Sequence, residues 1–145
     1  MNFIRKFQKR RQIEKKYGEL KNIGNFSITI PDREKILLFD NEEYEEKGQL
    51  LYHVINKEDE GEYIQLVEFI LYDPSIRKHG IGKKLISELV EYAKNNNMKK
   101  IDVYPSPTGE EAVSRDVLYQ IYGRLGFSFT DGGSETIKHM EMLIR

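Results

Sequence analysis

The sequence contains no cysteine. That excludes disulfides, thiolate metal ligands and a cysteine nucleophile, and it points to a reducing cytoplasm as the natural home. Histidine is scarce, with three copies that lack the short spacings of a ligand set, so no metal site is expected. Long apolar runs are missing too. "FILY" (Phe69 to Tyr72) is typical of the longest, and a bilayer span needs about 20 such residues, so no membrane partner is expected. Neither sign of charge is in excess. Lys plus Arg number 23 against 24 Asp plus Glu, which leaves a net −1 and no global field toward nucleic acid. The first residues include Arg and Lys but no apolar h-region or cleavage site, so they do not read as a secretory signal. No internal repeat or low-complexity linker interrupts the chain.

What is present fits one globular unit over residues 1–145. The length suffices to bury roughly two-thirds of the unfolded surface, and 39% hydrophobic with 11% aromatic residues argues against wholesale disorder. Charge is nonetheless unevenly placed. "RKFQKRRQIEKK" (Arg5 to Lys16) is basic, and Phe3, Phe7 and Ile13 can share a helical face, so residues 1–24 read as a basic, helical N-terminal segment. A nucleic-acid arm is the weaker reading, because Glu14 and Glu19 interrupt the run and no aromatic–basic interleaving continues. "DNEEYEEKG" (Asp40 to Gly48) is acidic and reads as a hairpin loop, with a slight tilt toward a cationic substrate.

The period of the apolar residues then changes along the chain. "NFSITI", "KILLF" (Lys35 to Phe39), "QLLYHVI" (Gln49 to Ile55) and "YIQLVEFILY" (Tyr63 to Tyr72) are successive turn-linked strands of an antiparallel meander. Ile81, Leu85, Leu89 and Ala93 repeat every four residues, the mark of a helix with one buried face. "KKIDVYP" (Lys99 to Pro105) is a further strand, and strand–helix–strand order predicts that it runs parallel to Tyr63–Tyr72. A second helix over Val117–Leu125 and a closing hairpin, "FSFT", "DGGS", "TIKHMEMLI", complete an α+β domain with a mostly antiparallel sheet.

Between the long strand and its helix lies Arg77-Lys78-His79-Gly80-Ile81-Gly82, followed by Lys83. Helix N-termini expose unpaired N–H groups, and glycines let a backbone approach phosphate oxygens. Cations there oppose the helix dipole, a conflict that a bound polyphosphate resolves. It is not a dinucleotide fingerprint, because G-x-G-x-x-G fails at Leu85, and no Ser or Thr completes a P-loop. The segment does resemble the coenzyme A pyrophosphate loop of the GNAT superfamily of N-acetyltransferases, whose signature is [RQ]-x-x-G-x-[GA]. The resemblance extends over Leu66–Phe127: an apolar-x-apolar triplet Ile70-Leu71-Tyr72 before the loop, the strand "KKIDVYP" after its helix, and Tyr122-Gly123-Arg124-Leu125-Gly126-Phe127 matching Y-x-x-x-G-F.

The resemblance implies a GNAT-like mixed, twisted sheet with helices on both faces, a coenzyme-binding core over residues 63–127 and acetyl-CoA as cosubstrate. It implies pantetheine contacts from the backbone of Ile70 and Tyr72, pyrophosphate contacts from amides around Lys78–Lys83, and Tyr122 as proton donor to the leaving thiolate. Tyr119 is three residues early for that role. Glu68 stands at the offset where some amine-acetylating members carry a base, on the face of Ile70 and Tyr72. An ordinary Glu near 4.3 and an alkylammonium near 10.4 differ by about six units, roughly 8 kcal/mol, so a water relay or burial must help. His53 and His79 are more simply a sheet histidine and a variable loop position. Two features depart from the family: the helices that usually follow the first strand have room only before Asn25, and Arg115 replaces an asparagine that touches the coenzyme. The leading reading is direct acetyl transfer to a primary amine of a small molecule or peptide; the alternative is a non-catalytic acyl-CoA-binding module on the same fold. A homodimer is left open.

Overall fold

The computed structural model describes residues 2–73, 75–76, 80–107 and 114–145. Helix α1 covers Phe3–Tyr17, α2 Ile81–Asn95 and α3 Arg115–Arg124. The strands are β1 (Leu20–Ile23), β2 (Phe26–Thr29), β3 (Lys35–Asp40), β4 (Glu46–Lys57), β5 (Gly61–Leu71), β6 (Lys100–Val103), β7 (Ser128–Gly133) and β8 (Lys138–Leu143). They form one sheet in the order β1-β2-β3-β4-β5-β6-β8-β7, antiparallel except between β5 and β6. That single parallel pair is the one predicted from the strand–helix–strand order, because α2 carries the chain back across the sheet between them.

Each helix starts and stops for a local reason. The Asn2 side chain accepts from Arg5 N at 2.8 Å and caps α1, while Gly18 at φ 91 ends it with its N–H on Glu14 O. Ser114 caps α3 by accepting from Val117 N. The start of α2 is different: Gly80 precedes it in the left-handed region, with no side-chain cap and no acid in the first turn.

Alternation along the strands sorts the apolar residues onto two faces. Ile28, Ile36, Leu38, Leu50, Tyr52, Ile64 and Leu66 meet Ile81, Leu85, Leu89 and Ala93 of α2 and Tyr122 of α3 in the main core. Leu37 and Phe39, one residue out of phase with Ile36 and Leu38, join Leu20 on the opposite face under Ile13 and Tyr17 of α1. Helices therefore cover both faces, as the family resemblance implied. Two details differ from the sequence reading. The segment before Asn25 is not all helix, because Leu20–Ile23 pairs with β2 around Gly24 in a hairpin, held by ladder bonds to its neighbour rather than by its own period. The "DGGS" turn lies later than expected, since Asp131–Gly133 still belong to β7 and Gly133 pairs with Lys138.

Candidate active site

The site starts from an irregularity in β5. Tyr52 pairs with Leu66 and Leu51 with Glu68, so Val67 is an extra residue, a β-bulge. Before it, Ile64 and Leu66 face the α2 core; after it, Phe69 and Leu71 do. Glu68, Ile70 and Tyr72 consequently share the other, outer face. The bulge also marks the end of the parallel pairing. β5 and β6 are joined at Ile64–Ile101, Gln65–Asp102 and Leu66–Val103, and then β6 stops while β5 continues to Leu71. Past the bulge, no strand among the described residues pairs with the β6 side of β5.

Which main-chain groups point into that gap follows from the register. Tyr72 N donates to Lys47 O at 2.9 Å, and Ile70 is paired with Gln49 on the same side. Their N–H and C=O groups are therefore turned toward β4. In an antiparallel ladder the intervening residues point the opposite way, so the groups facing the gap are those of Phe69 and Leu71. This corrects the expectation that Ile70 and Tyr72 offer their backbone there. Unpaired strand edges take extended, amide-bearing chains readily.

At the top of the gap the two glycines do separate work. Gly80 has φ 68, and a Cβ built on it would meet nothing within 4 Å among the described residues. At Gly82 a Cβ would lie 3.3 Å from Phe69 Cζ, so this glycine lets the helix start press against β5. The N–H groups of the first turn, from Ile81 through Lys83, have no intrahelical acceptor, and Lys83 and Lys84 are exposed beside them. Free amides and exposed cations thus share the start of α2, an arrangement that suits an anion. Arg77, Lys78 and His79 lie outside the described residues.

Tyr122 reaches the core from α3 and is only 7% exposed. Its ring stands edge-on to Phe127, with centroids 5.4 Å apart. Burial, with no hydrogen bond to offset it, pushes the phenol up to about 12. Tyr119 is employed otherwise: its hydroxyl accepts from Lys138 N at 3.1 Å and its ring packs edge-on against Phe129, tying α3 to the terminal hairpin. Arg115 donates from Nε to Pro105 O at 3.3 Å, which joins the start of α3 to the segment after β6. Glu68 is half-buried, and Gln49 Nε2 donates to its Oε1 at 3.0 Å, fixing the carboxylate on the outer face. The phenol of Tyr72 donates to Glu46 Oε2 at 2.6 Å, and burial followed by that carboxylate raises its pKa. His53 is exposed, opposite Gln65 on the neighbouring strand.

The structure also shows a polar group that the sequence did not reveal. On the outer face beside Gln65, Asp102 Oδ2 lies 3.1 Å from His139 Nε2, and His139 Nδ1 lies 2.6 Å from Thr130 Oγ1. With Asp102 ionised, Nε2 carries the hydrogen and Nδ1 accepts the threonine O–H. Asp102 and His139 are both buried, and the Tyr104 ring lies tilted against the imidazole with centroids 4.8 Å apart. Asp102 Oδ1 has no partner among the described residues, and burial raises the pKa of this carboxyl despite the histidine. No local motif announces these residues. Only the neighbouring of β6 and β8, which are distant in sequence, brings them together.

Known structures share this architecture at low identity. An acetyltransferase of the GNAT family from Staphylococcus aureus Mu50 superposes with a TM-score of 0.56 at 15% identity, over 77% of this chain and 68% of that one. Nourseothricin acetyltransferase gives 0.57 at 14%, over 82% and 71%. The GNAT family N-acetyltransferase YhbS from Escherichia coli, solved in complex with CoA, gives 0.56 at 13%, over 77% and 58%. No curated protein matches the sequence. The model of the acetyltransferase (GNAT) family matches residues 30–127, well over half of the chain, and the protein thus belongs to the GNAT acetyltransferase family.

Proposed function

We propose that the protein is an acetyl-CoA-dependent N-acetyltransferase that transfers acetyl directly to a primary amine of a small molecule or peptide, within one domain whose coenzyme-binding core is residues 63–127. The observation that carries this reading is the conjunction at one gap in the sheet. An uncapped helix start opened by Gly80 adjoins an unpaired strand edge at Phe69 and Leu71, as a diphosphate attached to an amide-bearing arm requires. The first-turn amides of α2 hold the diphosphate, the β5 edge aligns the arm, and the acetyl thioester supplies the activated acyl group.

The chain's own groups then manage protons. Tyr122, up at about 12, keeps its proton at neutral pH and hydrogen-bonds the departing sulfur. Full transfer to a thiolate near 8.5 is uphill by about 5 kcal/mol, so the phenol acts as a donor that stabilises developing charge rather than as the final proton source. The balance closes without it: the neutral amine gains the acetyl group and loses one proton, and solvent returns one proton to the departing thiolate, so coenzyme A leaves as the thiol. Glu68, oriented by Gln49, receives that amine proton through water. Its outer-face position, with Glu46 and the aromatic Tyr72 nearby, suits an acceptor that arrives as a cation.

The test uses the absence of cysteine, which removes protein background from a thiol-reactive colour assay for released coenzyme A. Screening a panel of polyamines, amino acids, aminoglycosides and peptides should show amine-dependent release, and acetyl-CoA should raise the melting temperature. A protein that neither shifts with acetyl-CoA nor releases thiol with any amine is not this enzyme.

A further inference from the structure

The first turns of α1 take no part in the sheet, the core or the gap. None of the helix's residues is buried. Phe3, Ile4 and Phe7 are 82%, 66% and 54% exposed. The attachment to the body lies further along. Arg10 donates to Asn22 Oδ1 at 3.0 Å and to the Tyr44 hydroxyl at 3.2 Å, and Ile13 and Tyr17 pack on the Leu37–Phe39 cluster. The Asn2 cap keeps the protruding part helical, so a partner meets a preformed surface and need not order it.

Charge is concentrated on the same element. The helix holds seven Lys or Arg and one acid, Glu14, for a net +6. The whole chain is −1, so the other residues carry −7. Phe3 and Phe7 are one turn apart and Ile4 adjoins them, forming an apolar strip. A shallow groove lined by Ile4, Phe7, Gln8, Arg11, Gln12 and Lys15 continues it along the exposed side. The Arg11 guanidinium lies 5.7 Å from the Phe7 ring centre, so a cation borders the strip directly.

Three occupants can be weighed on these observations. Nucleic acid would use the cations but gives three clustered apolar side chains no role. A second copy of the chain would offer acidic surface to the cations and leave the strip against charge. An anionic lipid surface takes both, since phosphates meet the Lys and Arg while the strip enters the boundary between headgroups and acyl chains. We propose that α1 is a peripheral docking element for an anionic lipid surface, inserting Phe3, Ile4 and Phe7 at that boundary. Lying on a surface requires no spanning segment. The lack of long apolar runs excludes a span, but the expectation of no membrane partner drawn from it does not extend to a helix lying on a surface, because the sequence could not show that the apolar residues stay uncovered. The inference does not depend on the acetyltransferase reading.

Flotation of the full chain with vesicles decides it. One set is pure phosphatidylcholine and the other is phosphatidylcholine with about one part in four phosphatidylglycerol, a negative surface that attracts each nearby Lys or Arg by a factor of roughly five. The protein should float with the anionic vesicles and stay behind with neutral ones. Arg5→Gln/Arg11→Gln should weaken binding by about 25-fold on that factor. Phe3→Ser/Phe7→Ser keeps every charge and should weaken it by at least about tenfold. Because the chain has no tryptophan, Phe3→Trp reports insertion as a blue shift of emission on anionic vesicles. Failure to float with anionic vesicles overturns the proposal. So does binding that the double serine variant retains in full, which is the behaviour of a purely electrostatic nucleic-acid arm. Self-association that this variant abolishes, without vesicle binding, assigns the strip to a second copy instead. An unchanged far-ultraviolet circular dichroism spectrum and melting temperature in each variant shows that the fold survives.

Discussion

Replacing Tyr122 by Phe removes one oxygen from a ring that keeps its packing. The hydroxyl makes no hydrogen bond among the described residues, and the ring remains edge-on to Phe127. No protein donor or acceptor is orphaned, so unfolding stability should change by less than about 0.5 kcal/mol. The catalytic effect should be larger. A hydrogen bond to a group bearing developing charge is worth roughly 1.5–3 kcal/mol, which is about 10- to 150-fold in rate. The loss should appear in kcat, with the Kd for acetyl-CoA unchanged, because this bond strengthens only as the sulfur departs. Coenzyme A release under saturating acetyl-CoA, together with calorimetric titration of the coenzyme, separates the two quantities. Tyr119→Phe is the internal control: its hydroxyl holds Lys138 N, so it should lose about 1 kcal/mol of stability and keep its rate. Full turnover in Tyr122→Phe would refute the assignment, and so would a rate loss that merely follows a loss of fold.

Three further predictions test the rest of the site. Gly80→Glu puts a carboxylate on the open helix mouth and should abolish the acetyl-CoA melting shift, whereas retention of the shift would remove the diphosphate from that position. Glu68→Gln should lower the rate most at low pH, where the amine is protonated, and the deficit should shrink as pH rises and free amine accumulates; a pH–rate profile parallel to wild type would sink the base role. Asp102 has its carboxyl raised chiefly by burial, so the folded state binds its proton more tightly than the unfolded chain does. Its favourable contribution is complete below the unfolded value near 3.9 and is lost as pH rises through the folded value. Urea unfolding followed from about pH 4 upward should therefore show wild type losing stability relative to Asp102→Asn as pH increases, and a constant difference would contradict the burial argument.

What could be read from the sequence was what is local. The four-residue repeat Ile81-Leu85-Leu89-Ala93, the glycine pair and the Tyr122 motif each lie within one stretch of chain, and the parallel pairing of β5 with β6 followed from element order. Features set by pairing with another segment stayed hidden. Leu20–Ile23 has too few residues to show a period and owes its form to β2. The commitment of Tyr72 N to Lys47 O depends on which residue of β4 falls opposite, and this moved the free backbone groups from Ile70 and Tyr72 to Phe69 and Leu71. Asp102, His139 and Thr130 meet only because β8 lies between β6 and β7.

The bulge at Val67 ties these observations together, because a single inserted residue has two effects at one place. Strict alternation from Leu66 would have turned Glu68 into the α2 core and Phe69 outward. A carboxylate there would lose its water without a partner, at a cost of several kcal/mol, and Gly82 would lose the ring it packs against. With the extra residue, Phe69 returns to the core and supports the helix start, while Glu68 emerges beside Gln49 on the outer face. The same residue stands where pairing with β6 ends. The unpaired β5 edge and the outward-facing Glu68, to which the proposed function gives the coenzyme arm and the amine, are thus products of one local shift in register. They lie within a few residues of each other, on the face where α1 packs over Leu20, Leu37 and Phe39 beside Tyr44. Val67 of β5 and Tyr72 just after it are exposed there at 52% and 46%, so the acceptor assigned under the proposed function would approach along this stretch of the outer face.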